Sequence, residues 1–217
     1  TALNRRAIGR GDRVAIVLPN GPEMASAFLS VAAGATTAPL NPAYTADEFA
    51  FYLDDLAPKA LLVEAGSTSP AVAAARDRAL PIIEITWDAD GPAGLFSLTG
   101  AAAGDPPTEG GAAAAGDDAL ILHTSGTTSR PKMVPLSQAN ICASAVHIRQ
   151  SLALTAADRC LNVMPLFHIH GLMAAVLASA SAGASVFCCP GFNSLSVFAW
   201  LEEAEASWYT AVPTMHQ

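Results

Sequence analysis

Between residues 123 and 132 the chain reads His-Thr-Ser-Gly-Thr-Thr-Ser-Arg-Pro-Lys, a run of hydroxyls broken by one glycine and closed by a lysine. The apolar run before it, 119–123 (ALILH), has the length and composition of a buried strand. The predicted context is therefore a strand entering a short loop. Such a loop offers backbone N–H groups and hydroxyl donors to phosphate oxygens, and Gly126 lets the backbone approach closely. Lys132 adds a compact positive charge at the far end. This is not a Walker A loop: counting from Gly126, the second glycine's place is held by Pro131, and Met133 follows the lysine where Ser or Thr is required. A kinase-type or GTPase-type site is thereby excluded. A Ser/Thr-rich surface turn with a solvated lysine is the competing reading, and composition alone leaves it open.

A second candidate is the histidine pair in Met164-Pro-Leu-Phe-His-Ile-His-Gly171. On composition, His168 reads as a core or boundary histidine beside Phe167. His170 follows two residues later, so in an extended segment both rings would face one side. His-x-His raises a metal site, but no carboxylate or third ligand accompanies it, and zinc needs three or four convergent ligands. No metal site is expected.

The elements around these residues predict an α/β fold, with layered, parallel-rich sheets flanked by helices. Strands are expected at 13–18, 36–40, 61–64 and 82–86. They alternate with helices at 23–33, from the Thr45 cap to before Pro58, and around 72–79. Pro22 suits a first helical turn, and Thr45-Ala-Asp-Glu48 matches a capping box. Residues 88–118 are dominated by Gly, Ala, Pro, Thr and acidic residues and read as a surface linker. Order resumes with strands at 119–123, 133–136, 160–164, 184–188 and 208–212. The helices of this part are expected at 137–152, 172–181 and 194–204. Such alternation predicts parallel strands with crossover helices. The organisation is thus a first α/β part (1–87), a linker (88–118) and a second α/β part (119–217) carrying the phosphate-binding loop.

Composition bounds the function class. The chain has 217 residues, is 52% hydrophobic and 14% charged, and carries a formal net charge of -8. An acidic chain with scattered Lys and Arg excludes a nucleic-acid surface, while one anionic nucleotide needs only local donors. The four cysteines (Cys142, Cys160, Cys188, Cys189) form no paired framework and read as buried, reduced thiols of an intracellular protein. No signal peptide is expected, since the basic start Thr1–Arg10 runs into a Gly-Asp turn and not an apolar run. The apolar stretch 171–189 reads as a helix followed by a strand, not a membrane span, so a soluble protein is expected.

The 123–132 stretch closely resembles the phosphate-binding motif T-S-G-T-T-G-x-P-K-G of the adenylate-forming superfamily, with Ser129 and Met133 in place of two glycines. That superfamily comprises acyl-CoA synthetases, coumarate–CoA ligases, beetle luciferases and nonribosomal peptide adenylation domains. Gly11-Asp-Arg-Val-Ala15 through Leu18-Pro-Asn20, Gly34-Ala35 through Pro39-Leu-Asn-Pro42, Pro165-Leu-Phe-His168 and Val212-Pro-Thr214 resemble further segments of the same family. The Ser-Arg-Pro variant, the F-H-I-H-G wording and the ending W-Y-T-A-V-P-T-M-H-Q are most similar to oxalyl-CoA synthetases.

The resemblance implies a carboxylate–CoA ligase that uses ATP, Mg2+ and CoA, acting on a small carboxylate such as oxalate. Thr124, Ser125, Gly126, Thr127, Thr128 and Lys132 would hold the β- and γ-phosphates. His168 matches the position that lies between nucleotide and acyl pocket and orients the carboxylate, a task suited to an imidazole near neutrality. The family's Y-G-x-T-E segment, ribose-binding Asp and C-terminal adenylation lysine are not in the sequence. The chain is therefore expected to be an N-terminal piece, inactive as a full ligase by itself. An adenylation domain loading a carrier protein and a non-catalytic nucleotide-binding module are the alternative readings. A cytoplasmic location is expected, with a peroxisomal address the alternative.

Overall fold

The computed structural model describes residues 2–100, 107–124 and 131–216. They form two compact units: Thr1–Leu18 with Ser26–Gln138, and Pro19–Ala25 with Ala139–Gln217.

The first unit is built on a seven-stranded sheet of order β5-β4-β3-β1-β2-β6-β7. Its strands are β1 (Arg13–Val17), β2 (Thr36–Pro39), β3 (Ala60–Glu64), β4 (Ile82–Thr86), β5 (Ser97–Gly100), β6 (Asp118–Thr124) and β7 (Lys132–Ser137). β1, β2, β3, β4 and β6 pair parallel, as expected for a sheet buried by helices on its faces. The two outer pairs differ from expectation, because β5 runs antiparallel to β4 and β7 antiparallel to β6. β5 also falls inside the 88–118 stretch, where the sequence carries no strand signal.

Helix α1 (Pro22–Ala32) opens on Pro22, and α2 (Ala46–Leu56) opens on the full capping box. Thr45 Oγ1 accepts from the Glu48 N–H at 3.3 Å, and Glu48 Oε2 accepts from the Thr45 N–H at 2.8 Å. α3 (Pro70–Asp77) completes the set. Along β1, Ala15 and Val17 share one face and Val14 and Ile16 the other. Ala15 and Val17 join Phe49, Tyr52, Leu53 and Leu56 of α2, four residues spaced along one helix stripe, and Ala71, Val72, Ala74 and Ala75 of α3. Ile121 of β6 closes this core, and Met133 packs on its edge. Each fully buried large side chain contributes roughly 1.5–3 kcal/mol by its removal from water.

The second unit holds a parallel three-stranded sheet, order β10-β8-β9. Its strands are β8 (Arg159–Asn162), β9 (Ser185–Cys188) and β10 (Trp208–Thr210). α4 (Gln138–Ser151), α5 (Ala178–Ala182) and α6 (Val197–Glu203) accompany them. The helix expected at 172–181 is a π-helix, His170–Leu177, running into α5. Gly183 ends α5 in the left-handed region (φ 72), which glycine adopts without the Cβ penalty. Leu161, Val163, Cys189, Val197 and Ala204 form the core of this unit, with Phe187, Trp200 and Leu201 packed against it. Among the described residues, no helix is long and apolar enough to cross a membrane.

Candidate functional site

The hydroxyl-rich stretch connects β6 to β7 along the chain. The two strands pair from Asp118↔Ser137 up to His123↔Met133 and Thr124↔Lys132, so Thr124 and Lys132 are the two feet of the turn. The Thr124 hydroxyl reaches the Lys132 carbonyl at 3.5 Å, a long contact at the limit of a hydrogen bond. Both feet are exposed, and among the described residues Lys132 makes no salt bridge. Ser125, Gly126, Thr127 and Thr128 lie outside the described residues, as do Ser129 and Arg130. Met133, which replaces a motif glycine, has a packing role: its side chain covers the edge of the core beneath the hairpin.

One residue below the turn, His123 points into the unit. Its side chain is only 5% exposed, and Nε2 lies 2.9 Å from Asp55 Oδ2 near the end of α2. The ring stands edge-on to Tyr52, with centroids 4.7 Å apart and planes at 66°. Tyr52 in turn stacks on Tyr44 at 4.7 Å and 15°. Burial and a hydrogen bond with Tyr52 raise the Tyr44 phenol well above the ordinary tyrosine range. An aromatic–imidazole–carboxylate cluster thus underlies the foot of the hairpin. Sequence reading passes over it, since Asp55 and His123 are 68 positions apart.

In the second unit His168 is exposed at a tight turn leading into the π-helix, with its ring 5.2 Å from that of Phe167 and tilted 43° to it. The segment is not extended, so the expectation that His168 and His170 face one side does not hold. The backbone turns as the His168 N–H donates to the Pro165 carbonyl at 3.2 Å, and His170 begins the π-helix. His170 Nε2 instead meets the Thr210 hydroxyl at 2.7 Å. Gly171 is required there, since a Cβ would stand 2.6 Å from the Pro165 carbonyl oxygen.

Two asparagines hold this turn. Asn162, wholly buried, donates from Nδ2 to the Met164 carbonyl at 3.1 Å and accepts from the Met164 N–H at 3.2 Å. Asn20 donates to the same carbonyl at 3.1 Å and accepts from the Leu166 N–H at 2.8 Å. The Leu-Pro-Asn segment singled out in the sequence thus has a physical reason. Its amide satisfies backbone groups that a non-helical loop would otherwise bury unpaired.

The thiols near this turn are held in their protonated form. Burial pushes the Cys160 and Cys188 thiols up to about 12 and that of Cys189 up to about 11. Among the described residues no three His, Cys, Asp or Glu side chains converge on a point that could hold a metal ion.

A large parallel-rich sheet flanked by helices is the fold of the large N-terminal domain of adenylate-forming enzymes. All 217 residues match the family model for AMP-binding enzymes, and the chain belongs to that family. It is 43% identical over 211 residues to the oxalate–CoA ligase of Arabidopsis thaliana, which covers 95% of this chain and 41% of that protein. With the oxalate–CoA ligase of Saccharomyces cerevisiae the identity is 38% over 231 residues, 96% of this chain and 42% of that protein. The crystal structure of ATP-bound MatB from Rhodopseudomonas palustris superposes with a TM-score of 0.77 at 29% identity, over 99% of this chain and 42% of that one. The chain therefore spans about two fifths of the length of the relatives it matches.

Proposed function

We propose that this chain is the front part of an ATP-dependent carboxylate–CoA ligase acting on a small carboxylate such as oxalate. Two half-reactions follow. The carboxylate oxygen attacks the α-phosphorus of ATP, and the bond to the bridging oxygen breaks, releasing pyrophosphate and leaving an acyl-adenylate. The CoA thiol then attacks the acyl carbon, loses its proton and displaces AMP. In the first step charge builds on the departing pyrophosphate, so fixed donors aimed at it lower the barrier.

The observation that carries this reading is the hairpin, whose register sets Thr124 opposite Lys132 at the feet of the T-S-G-T-T-S-R-P-K turn. In this reading Thr124, Ser125, Gly126, Thr127, Thr128 and Lys132 hold the β- and γ-phosphates, and His168 orients the acid. The printed names of the Arabidopsis and yeast relatives support oxalate, and the ATP-bound neighbour supports the nucleotide. Magnesium enters as the counter-ion carried by ATP, and no step is assigned to a resident metal.

The test is thioester formation by the complete gene product that carries residues 1–217, with ATP, CoA and a panel of mono- and dicarboxylic acids. The expected product is oxalyl-CoA. Pyrophosphate exchange with an amino acid and none with oxalate would replace this reading by a carrier-loading adenylation domain.

A further inference from the structure

We propose that His123 and Asp55 form a latch that positions Thr124 and Lys132, the described ends of the phosphate-gripping stretch, making His123 a positioning residue for ATP. The inference rests on the reading of residues 124–132 given above. β6 is registered to β2 at one pair only, Thr37↔Leu120. Above Leu120 its ladder partners are all on β7, from Ile121↔Pro135 to Thr124↔Lys132. Beyond Leu120 the backbone ladder ties β6 to β7, so its tie to the helix layer is left to side chains.

The side chains of β6 supply that tie. Ile121 and His123 share a face of the strand. Ile121 is sealed in the core with α2, and His123, one step nearer the turn, reaches α2 through Asp55 and Tyr52. Tyr52 is itself held by Tyr44 and by burial, so the imidazole meets a rigid floor. Among the described residues the charged groups at this end of the hairpin are Asp55 on α2 and Lys132 on β7, the latter opposite Thr124 and not His123. A charge-assisted bond one residue before the foot of the turn therefore fixes where Thr124 and Lys132 stand. Neither His123 nor Asp55 has to touch ATP for this.

The test measures kcat and the ATP KM in pyrophosphate exchange by the complete gene product. His123→Phe keeps a ring against Tyr52 but loses the bond. Asp55→Ala removes the other partner at a half-exposed site and spares the core. Each is expected to raise the ATP KM about tenfold with kcat retained, the effect of losing one hydrogen bond to a charged group that acts through binding. The double variant is expected to lose no more than either single one, because both act through one bond. His123→Gln, which still donates an N–H, is expected to recover most of the loss. Additive losses, or an unchanged ATP KM in folded Asp55→Ala, overturn the latch. Lys132→Ala separates the two readings: if it raises the ATP KM while Asp55→Ala does not, only the latch fails. If neither variant changes it, the phosphate grip fails as well.

Discussion

The Met164 carbonyl receives two side-chain amides, and this gives a prediction that can be worked through in numbers. Asn162→Ala leaves the Met164 N–H without its acceptor in a site with no solvent, while Asn20 still satisfies the carbonyl. An unsatisfied buried donor costs about 1–3 kcal/mol, so the expected loss is about 2 kcal/mol. Asn20→Ala orphans the Leu166 N–H, again in a buried residue, and leaves Asn162 on the carbonyl; about 1–2 kcal/mol is expected. In the double variant the carbonyl loses both donors at once, a penalty that neither single change incurs. The double loss should therefore exceed the sum of the singles by about 1 kcal/mol or more. Equilibrium urea unfolding reads this directly, with the fluorescence of Trp200 and Trp208, which lie in the same unit as both asparagines. Additivity to within about 0.5 kcal/mol would refute the shared-carbonyl account.

Three further outcomes are expected. Glu48, Asp54, Asp117 and Asp158 are all held below the usual carboxylate range, chiefly by the Thr45 N–H, the Arg78 guanidinium, the Arg10 guanidinium and the Thr155 N–H respectively. The unfolded chain then binds protons first as pH falls, so stability is steady above about pH 5 and declines below about pH 4. An unfolding midpoint that rises on acidification would contradict this. Thr45→Ala should cost about 1 kcal/mol at neutral pH by removing the cap and, because the Thr45 hydroxyl also donates to Glu48, should flatten part of that acid slope, as a pH series of thermal melts would show. In a thiol titration of the native protein at neutral pH, exposed Cys142 should react first, partly buried Cys188 more slowly, and Cys160 and Cys189 only on unfolding; rapid reaction of all four would refute the burial.

The elements with a local signature were legible in the sequence. Thr45 and Glu48 announce α2 because a capping box is written within four residues, and Pro22 marks the start of α1 for the same kind of reason. The buried strands β1, β3 and β4 were equally plain as short apolar runs between helices. Strand direction was not legible, since nothing in Lys132–Ser137 or Ser97–Gly100 distinguishes an antiparallel edge from a parallel neighbour. The π-helix was read as an ordinary helix because His170–Leu177 is apolar on nearly every side, so no periodic stripe is broken.

At the candidate site the hydroxyls and the lysine could be named from residue types, whereas the long-range contacts beside the candidate residues could not. Asn20 and Met164 lie 144 positions apart and Asp55 and His123 lie 68 apart, and only the folded chain brings them together. His168 carried a chemical expectation, but its turn geometry depends on Gly171 admitting the Pro165 carbonyl, which composition does not reveal.

The central claim is that the turn between Thr124 and Lys132 grips the pyrophosphate end of ATP. A crystal structure of the complete gene product with magnesium and a non-hydrolysable ATP analogue tests it most directly. The account predicts the β- and γ-phosphates within hydrogen-bonding distance of Lys132 Nζ and of the turn's backbone N–H groups. A triphosphate bound elsewhere, with Lys132 directed into solvent, would contradict it.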